Sequence, residues 1–445
     1  MRFLQLTSAA LAAALLVACG GSDDDPPARG TVLSGLQLGQ STRAQIDAGT
    51  AASGAQALTG AARCDVVVRY VQYSTRTPSG EAARASAGVF VPTGTDPACT
   101  GQRPVLLYGH GTSTSKAKNM ALASTDGEAS LLVAMYAAQG FIVVAPNYLG
   151  YDGSLDWHPY LNATASAVDM IDALRAAKSH LASVGGTTAS PQLLISGYSQ
   201  GGHVAMATHR EIQANYAGEL TVTASGPMSG PYNMVGFSDV VNGPGPINAG
   251  ALTFAPMLLT SYQRSYGNIY SAASQVYQPP YDTTAPNIYP NDATTAQLMT
   301  QGKLPNDPTQ TLLFGAGGLL TDAFKAGYAT SAFRTALQNN TLLGWTPARP
   351  VAMCGGAQDP TVYYAVNTSA AQADFASRNV PVPAFDLENR ATLPAGALGD
   401  ALFGGFQQSK AAAGASVQAQ YHGTLVPPFC SAVIRGFFQQ VLAAP

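Results

Sequence analysis

Gly197-Tyr198-Ser199-Gln200-Gly201 sets a serine between two glycines, after an apolar run and before a helical pattern. A serine in that setting turns the chain sharply from strand to helix and presents Oγ at the helix N-terminus, as an attacking nucleophile requires. The N–H of Gln200 points to the same place and would offer a developing oxyanion one donor. A hydroxyl nucleophile needs a base to take its proton and an acid to orient that base. Histidine occurs six times, at 110, 158, 180, 203, 209 and 422. His203 and His209 fall in the helix behind Oγ and His180 ends the preceding helix, so these three read as structural or surface residues. His422, in Tyr421-His422-Gly423 before the last helix, stands where the base falls in the order Ser, Asp or Glu, His. Asp359 follows a strand and a glycine turn (Met353-Cys354-Gly355-Gly356-Ala357-Gln358) and is the expected acid. Asp386, after the strand-like Val382 to Phe385, is the alternative. His110-Gly111 follows another short strand, where a loop would supply a second oxyanion donor from the N–H of Gly111 or Thr112. His110 itself reads as an organiser of that loop.

Such residues need a rigid scaffold. Pro104 to Tyr108, Phe141 to Pro146, Gln192 to Ser196, Thr221 to Ala224 and Pro350 to Met353 are short, nearly continuous apolar runs. Helical patterns separate the first four: Ser130 to Gln139, Ala163 to Leu181 with Val168, Ile171, Leu174 and Ala177 in phase, and His203 to Tyr216. Buried strands alternating with helices predict a mostly parallel sheet covered on both faces, an α/β fold. Cys64 to Val71 and Ala87 to Pro92 are expected to form a hairpin. The rhythm breaks between Pro231 and Trp345, a stretch with nine charged residues in 115, no Glu, and eight of the 20 tyrosines. Its weak helical patterns, Leu252 to Ser261 and Leu319 to Gln338, predict a mainly helical cap. The expected division is 1–18 leader, 19–45 tether and N-terminal segment, 46–230 and 346–445 core, and 231–345 cap.

Of the 445 residues only 11% are charged, against roughly 25% in ordinary soluble proteins. A net charge of −3 lacks the basic excess that nucleic-acid binding demands. With 46% hydrophobic residues, intrinsic disorder is excluded. Arg2, the apolar Leu11 to Val17 and then Leu16-Val17-Ala18-Cys19 follow a lipobox. The apolar run is too short to span a membrane. The expectation is an exported lipoprotein, lipidated on Cys19 and tethered by Gly20 to Gly30. It would be held at the outer membrane by that lipid alone, facing the periplasm or the cell surface, or be released from the cell. The other four cysteines, Cys64, Cys99, Cys354 and Cys430, predict two disulfides with three possible connectivities. Proximity in the chain favours Cys64–Cys99, leaving Cys354–Cys430. No CxxC or HxxxH spacing points to a metal.

The elbow, the His-Gly loop, Asp359 and His422, in that order, resemble the α/β-hydrolase superfamily from about Cys64 to the C-terminus. Pro146-Asn147-Tyr148-Leu149-Gly150-Tyr151 and Gly197 to His203 are similar to segments of its secretory lipase and esterase group. The resemblance implies an eight-stranded sheet, a helical insertion after the sixth strand, and serine-dependent hydrolysis of a small-molecule, lipid or polymer ester without cofactor. The loop after residue 109 lacks the HGGG of many esterases. The interval from Asp359 to His422 is longer than usual and leaves room for an extra segment around Ala395 to Gly414. A serine exopeptidase or polyester depolymerase on the same fold stays open as an alternative, as does a non-catalytic binding protein. The cap, without Glu and with five scattered Asp, argues against the paired acids of an exopeptidase.

Overall fold

The computed structural model describes residues 26–444; the leader and Cys19 lie outside the described residues. Nine strands form one sheet: β1 (Val32–Ser41), β2 (Asp65–Arg76), β3 (Ala82–Thr93), β4 (Gln102–Gly109), β5 (Ile142–Pro146), β6 (Thr188–Tyr198), β7 (Val222–Met228), β8 (Met353–Gly355) and β9 (Ala384–Asp386). The spatial order is β1-β2-β3-β5-β4-β6-β7-β8-β9. β1, β2 and β3 pair antiparallel, as does β3 with β5, and every pairing from β5 to β9 is parallel. The eight strands expected from the resemblance are joined by a ninth, β1, inside the segment read as N-terminal tail. β1 escapes a pattern reading because it is an exposed edge with glycines at 35 and 39. Two register shifts, at Leu33 and Leu38, also destroy its period of two.

Along the central strands successive side chains serve opposite faces. Leu106 and Tyr108 of β4 join a core with Leu132, Ile434 and Phe438. Val105 and Leu107 join another with Ile171, Leu174 and Val204. The layers over those faces are α1 (Gly127–Met135), α2 (Ala163–Val184), α3 (Gln200–Asn215) and, at the C-terminus, a helix over Val426–Ala443. Asp126 and Asn162 cap α1 and α2 through their side chains, accepting from Ala129 N and Ala165 N.

Between β7 and β8 lie α4 (Met234–Asn242), α5 (Ala251–Tyr266) and α6 (Ala332–Asn339), with shorter helices between α5 and α6. They share a core of their own, including Leu252, Tyr262, Leu298, Phe333 and Leu337, closed by Tyr160 and Leu161 from below. The pattern over 319–338 resolves into two helices, Asp322–Gly327 and α6, because Ser331 caps a new start. α7 (Ala397–Ala413) fills the long interval before α8 (Val426–Ala443). Disulfides join Cys64 to Cys99 and Cys354 to Cys430, with Cα separations of 5.4 and 5.5 Å. The second ties β8 to α8. Among the described residues no helix is long and apolar enough to cross a membrane, and no group of three or more His, Cys, Asp or Glu is arranged to hold a metal.

Candidate active site

β6 ends at Tyr198 and α3 begins at Gln200, so Ser199 makes the turn alone, at φ +59° and ψ −120°. Its N–H is held by Met228 O of β7 at 3.0 Å. The turn fits only because its neighbours lack side chains. A Cβ on Gly201 would fall on the carbonyl oxygen of Gly109 at the end of β4, and one on Gly197 would fall on that of Gly201.

His422 and Asp359 reach Ser199 from the far end of the sequence. His422 Nε2 lies 2.7 Å from Ser199 Oγ, and Nδ1 lies 2.6 Å from Asp359 Oδ2. Asp359 is buried, and its Oδ1 accepts the N–H groups of Thr361 and Val362 at 2.8 and 3.0 Å. An acceptor so placed demands an Nδ1–H tautomer and leaves the Nε2 lone pair for the serine proton. His422 does not sit in an open loop as its neighbours predict. It occupies a widened helical turn, Tyr421–Leu425, in which Val426 N–H reaches Tyr421 O five residues back. Tyr198 OH donates to the His422 carbonyl at 2.6 Å and fixes that turn against the elbow.

Asp386 is not the partner of His422. Its Oδ1 accepts the N–H groups of Ala357 and Glu388 at 2.9 and 3.0 Å, so it shapes the loop that carries Asp359. Glu388 then accepts from Tyr421 OH at 2.7 Å and from Lys410 Nζ at 2.5 Å, and Lys410 also donates to Gln358 Oε1 at 2.9 Å. Burial pushes the Glu388 carboxyl up, but hydrogen bonds from Lys410 and Tyr421 outweigh it and hold the group below its ordinary range. The Asp359 loop and the His422 turn are thus joined by Glu388, Tyr421 and Lys410 as well as by Cys354–Cys430.

The loop after β4 departs from expectation at one atom. Gly111 N–H donates to both carboxylate oxygens of Glu128, each at 3.1 Å, and is not free for an oxyanion. Among the described residues Thr112 N–H has no partner, while its Oγ1 meets Tyr160 OH at 2.9 Å. Gln200 N–H opens α3 beside Ser199, with no side-chain cap on that end. Its side-chain Nε2 donates to His158 Nε2 at 2.6 Å, and His158 Nδ1–H donates to Leu149 O at 2.7 Å. Burial lowers His158 to about 4, so that ring is neutral. His110 is buried, flat against Tyr148 at 4.2 Å between centroids, with Nδ1 2.6 Å from Gly111 O. Burial and Lys118 lower it to about 3. His203 and His209 are buried against Asn340 O and Ser225 Oγ, each lowered to about 4 by burial, and His180 is buried as well. Tyr198, Glu128, Glu388 and Lys410 went unread because contacts between distant segments give them their roles. Tyr198 and Tyr421 each have a cue in the sequence, their places next to Ser199 and His422.

Two spaces meet at Ser199. A narrow cavity of about 110 Å³ runs into the cap between Met234, Phe237, Phe254, Leu258 and Phe333. On the His422 side lies an open cleft of about 1270 Å³, bordered by Glu128, Thr112, Thr253, Thr311, Tyr363 and Gln418.

The chain as a whole is similar to known proteins. The secretory lipase family model matches residues 115–281. The rice cell wall degrading esterase LipA from Xanthomonas oryzae, in a single-substitution variant, is 30% identical over 93% of this chain and 99% of that one, with a TM-score of 0.77. Unsubstituted LipA is 33% identical over 81% of this chain and 91% of its own, with a TM-score of 0.72. Lipase A of Candida antarctica shares the fold alone, at 14% identity over 80% of this chain and 76% of that one, with a TM-score of 0.55. No curated protein sequence is significantly similar to the chain. Nearly the whole chain therefore follows one pattern from β1 to α8, and the protein belongs to the secretory lipase family, as an esterase- or lipase-type hydrolase of the α/β-hydrolase fold.

Proposed function

We propose that the protein cleaves neutral carboxylic esters through a covalent acyl-enzyme formed on Ser199. The unbroken chain Ser199 Oγ–His422–Asp359, at 2.7 and 2.6 Å, carries this reading. Ser199 Oγ attacks the ester carbonyl while His422 Nε2 takes its proton, and Asp359 holds the ring and stabilises its positive charge. The N–H groups of Gln200 and Thr112 receive the oxyanion, and one such donor is worth about 3–4 kcal/mol of barrier. His422 returns the proton to the departing alcohol and then activates the water that frees the acid.

The largely apolar cavity in the cap supports an unbranched or slender acyl group, since no charged side chain stands in its wall. The open cleft supports a bulkier alcohol, and it would also admit a polymer strand, which keeps polyester cleavage as the second reading. An exopeptidase is disfavoured because Glu128, the only acidic residue that borders the cleft among the described residues, is already engaged by Gly111, Tyr108 and Lys118. Membership of a secretory family supports export, and Cys19 in its lipobox would add the lipid anchor.

The test is a chain-length series of p-nitrophenyl esters, with a polyester film alongside. Wild-type enzyme should turn over the soluble esters, and Ser199→Ala should lose at least about 10⁴-fold in kcat. Wild-type-like turnover by that variant would remove the assignment.

A further inference from the structure

We infer that Glu128 is a positioning residue for the second oxyanion donor: it grips the Gly111 N–H so that the next peptide presents Thr112 N–H to the reacting carbonyl. The inference rests on the acyl-enzyme reading of Ser199 given above.

The argument begins with one planar peptide. Gly111 C=O and Thr112 N–H belong to the same trans unit, so fixing the direction of the carbonyl fixes the N–H in the opposite direction. Two side chains hold Gly111 from either end. Its carbonyl lies 2.6 Å from His110 Nδ1, and its N–H is shared between both oxygens of Glu128 at 3.1 Å each. His110 is fully buried, stacked on Tyr148 and set between two carbonyls, with Nδ1 2.6 Å from Gly111 O and Nε2 3.1 Å from Asn147 O; the Nδ1–H tautomer would donate to the nearer one, Gly111 O. Tyr148 OH also donates to His110 O at 3.1 Å, so the residue before Gly111 is fastened too.

Glu128 is in turn built into place. It stands in the first turn of α1, accepts from Tyr108 OH at 3.0 Å, and has Lys118 Nζ 3.9 Å from Oε2, with Lys118 itself held by Asp126 at 2.5 Å. Thr112 then lies between the two spaces that meet at Ser199: it borders the open cleft, and its hydroxyl bonds Tyr160, which lines the apolar cavity. A carboxylate that takes the obvious donor, Gly111 N–H, is thus the group that aims the next one.

The experiment uses the full-length enzyme with Glu128→Gln, which keeps the shape but turns one acceptor oxygen into a donor facing Gly111 N–H. Its kcat for a p-nitrophenyl ester should fall about 10- to 100-fold with KM unchanged, less than loss of a whole oxyanion donor. The inhibition constant of an alkylboronic acid, whose tetrahedral adduct places an oxygen in the oxyanion site, should rise by the same factor. The thermal midpoint should stay within a few degrees. Tyr108→Phe, which removes a neighbour of Glu128 without touching Gly111, should show the same two changes at a few-fold level, and it decides the matter if Glu128→Gln does not fold. Unchanged kcat, or a lower kcat with an unchanged boronate constant, overturns the inference. Activity surviving in Ser199→Ala would instead overturn the reading beneath it.

Discussion

Ser199 holds a backbone conformation that costs a non-glycine residue on the order of 1–3 kcal/mol, and it is held there by β7, by the start of α3 and by the bare face of Gly201. What the strain achieves is placement: Oγ stands clear of its own helix and within 2.7 Å of His422 Nε2. The orientation of that ring depends on Asp359 more than on any other group, because Nδ1 has no better acceptor nearby. Asp359→Asn would keep the shape but offer an amide where a carboxylate is needed, and it would favour the wrong tautomer. Its kcat should fall about 10⁴-fold with KM little changed and the fold intact by circular dichroism. A loss below tenfold would mean that another acid supports His422. Asp386 is no substitute, since its carboxylate is spent on the N–H groups of Ala357 and Glu388.

At the scale of elements, the three groups proposed to act together, Ser199, Asp359 and His422, ride on segments far apart in sequence: the β6–α3 elbow, the loop after β8 and the widened turn before α8. Their agreement to within a hydrogen-bond length needs ties between the last two. Cys354–Cys430 closes a loop of 76 residues, worth about 2–4 kcal/mol in typical cases. The Glu388, Tyr421 and Lys410 cluster provides the second tie, and it touches both loops through Gln358 and Tyr421. Tyr421→Phe removes only the hydroxyl that Glu388 accepts. It should cost about 1–2 kcal/mol in urea unfolding and several-fold in kcat, with KM preserved. An unchanged kcat beside lost stability would make the cluster a purely structural brace. The sequence did announce room for an extra segment between Asp359 and His422, and α7 fills it. It carried no sign that Lys410, on α7, would reach back to Glu388 and Gln358, because a lysine on an amphipathic helix ordinarily faces solvent.

The whole molecule stores one further consequence of close packing. Asp169 on α2 is buried against β2, accepts from Tyr73 OH at 2.9 Å through Oδ1, and leaves Oδ2 unpartnered. Burial, helped by nearby Asp172, raises its folded-state pKa to about 7. An unfolded Asp loses its proton near 3.9, so between about pH 4 and pH 7 the folded chain keeps a proton that the unfolded chain has released. The associated stability is fully present below about pH 4 and is lost as the pH rises to about 7. Asp169→Asn, which cannot ionise, should unfold at higher urea than wild type at pH 8, by on the order of 2–4 kcal/mol, and the gap should shrink towards pH 4. An equal gap at both pH values would show that the carboxyl is charged in the fold throughout.

Much of the outline was legible along the chain. Strand runs that are apolar on both faces occur only where helices cover both sides of a sheet, and β4, β5, β6 and β7 announce themselves that way. Ser199 is legible because its chemistry is local: strand, glycine, serine, glycine and helix are consecutive. His422 and Asp359, which the fold brings within hydrogen-bond reach of Ser199 and of each other, are picked out by their order in the chain, and the pairing of the four cysteines by proximity, both being rules that need no coordinates. β1 was hidden because an exposed edge strand obeys no burial pattern. Gly111 and Thr112 stay alternatives for the second oxyanion donor in the sequence, because spacing identifies a loop but not the direction of an N–H; in the fold Gly111 N–H turns to Glu128. That direction is decided by a carboxylate on α1 and a histidine stacked on Tyr148, groups that meet only when β4, β5 and α1 are packed together. The sequence by itself therefore determined which groups are candidates for the chemistry and in what order they come. The tertiary structure decided where each hydrogen bond points, because a hydrogen bond depends on angles between segments that the chain does not connect locally.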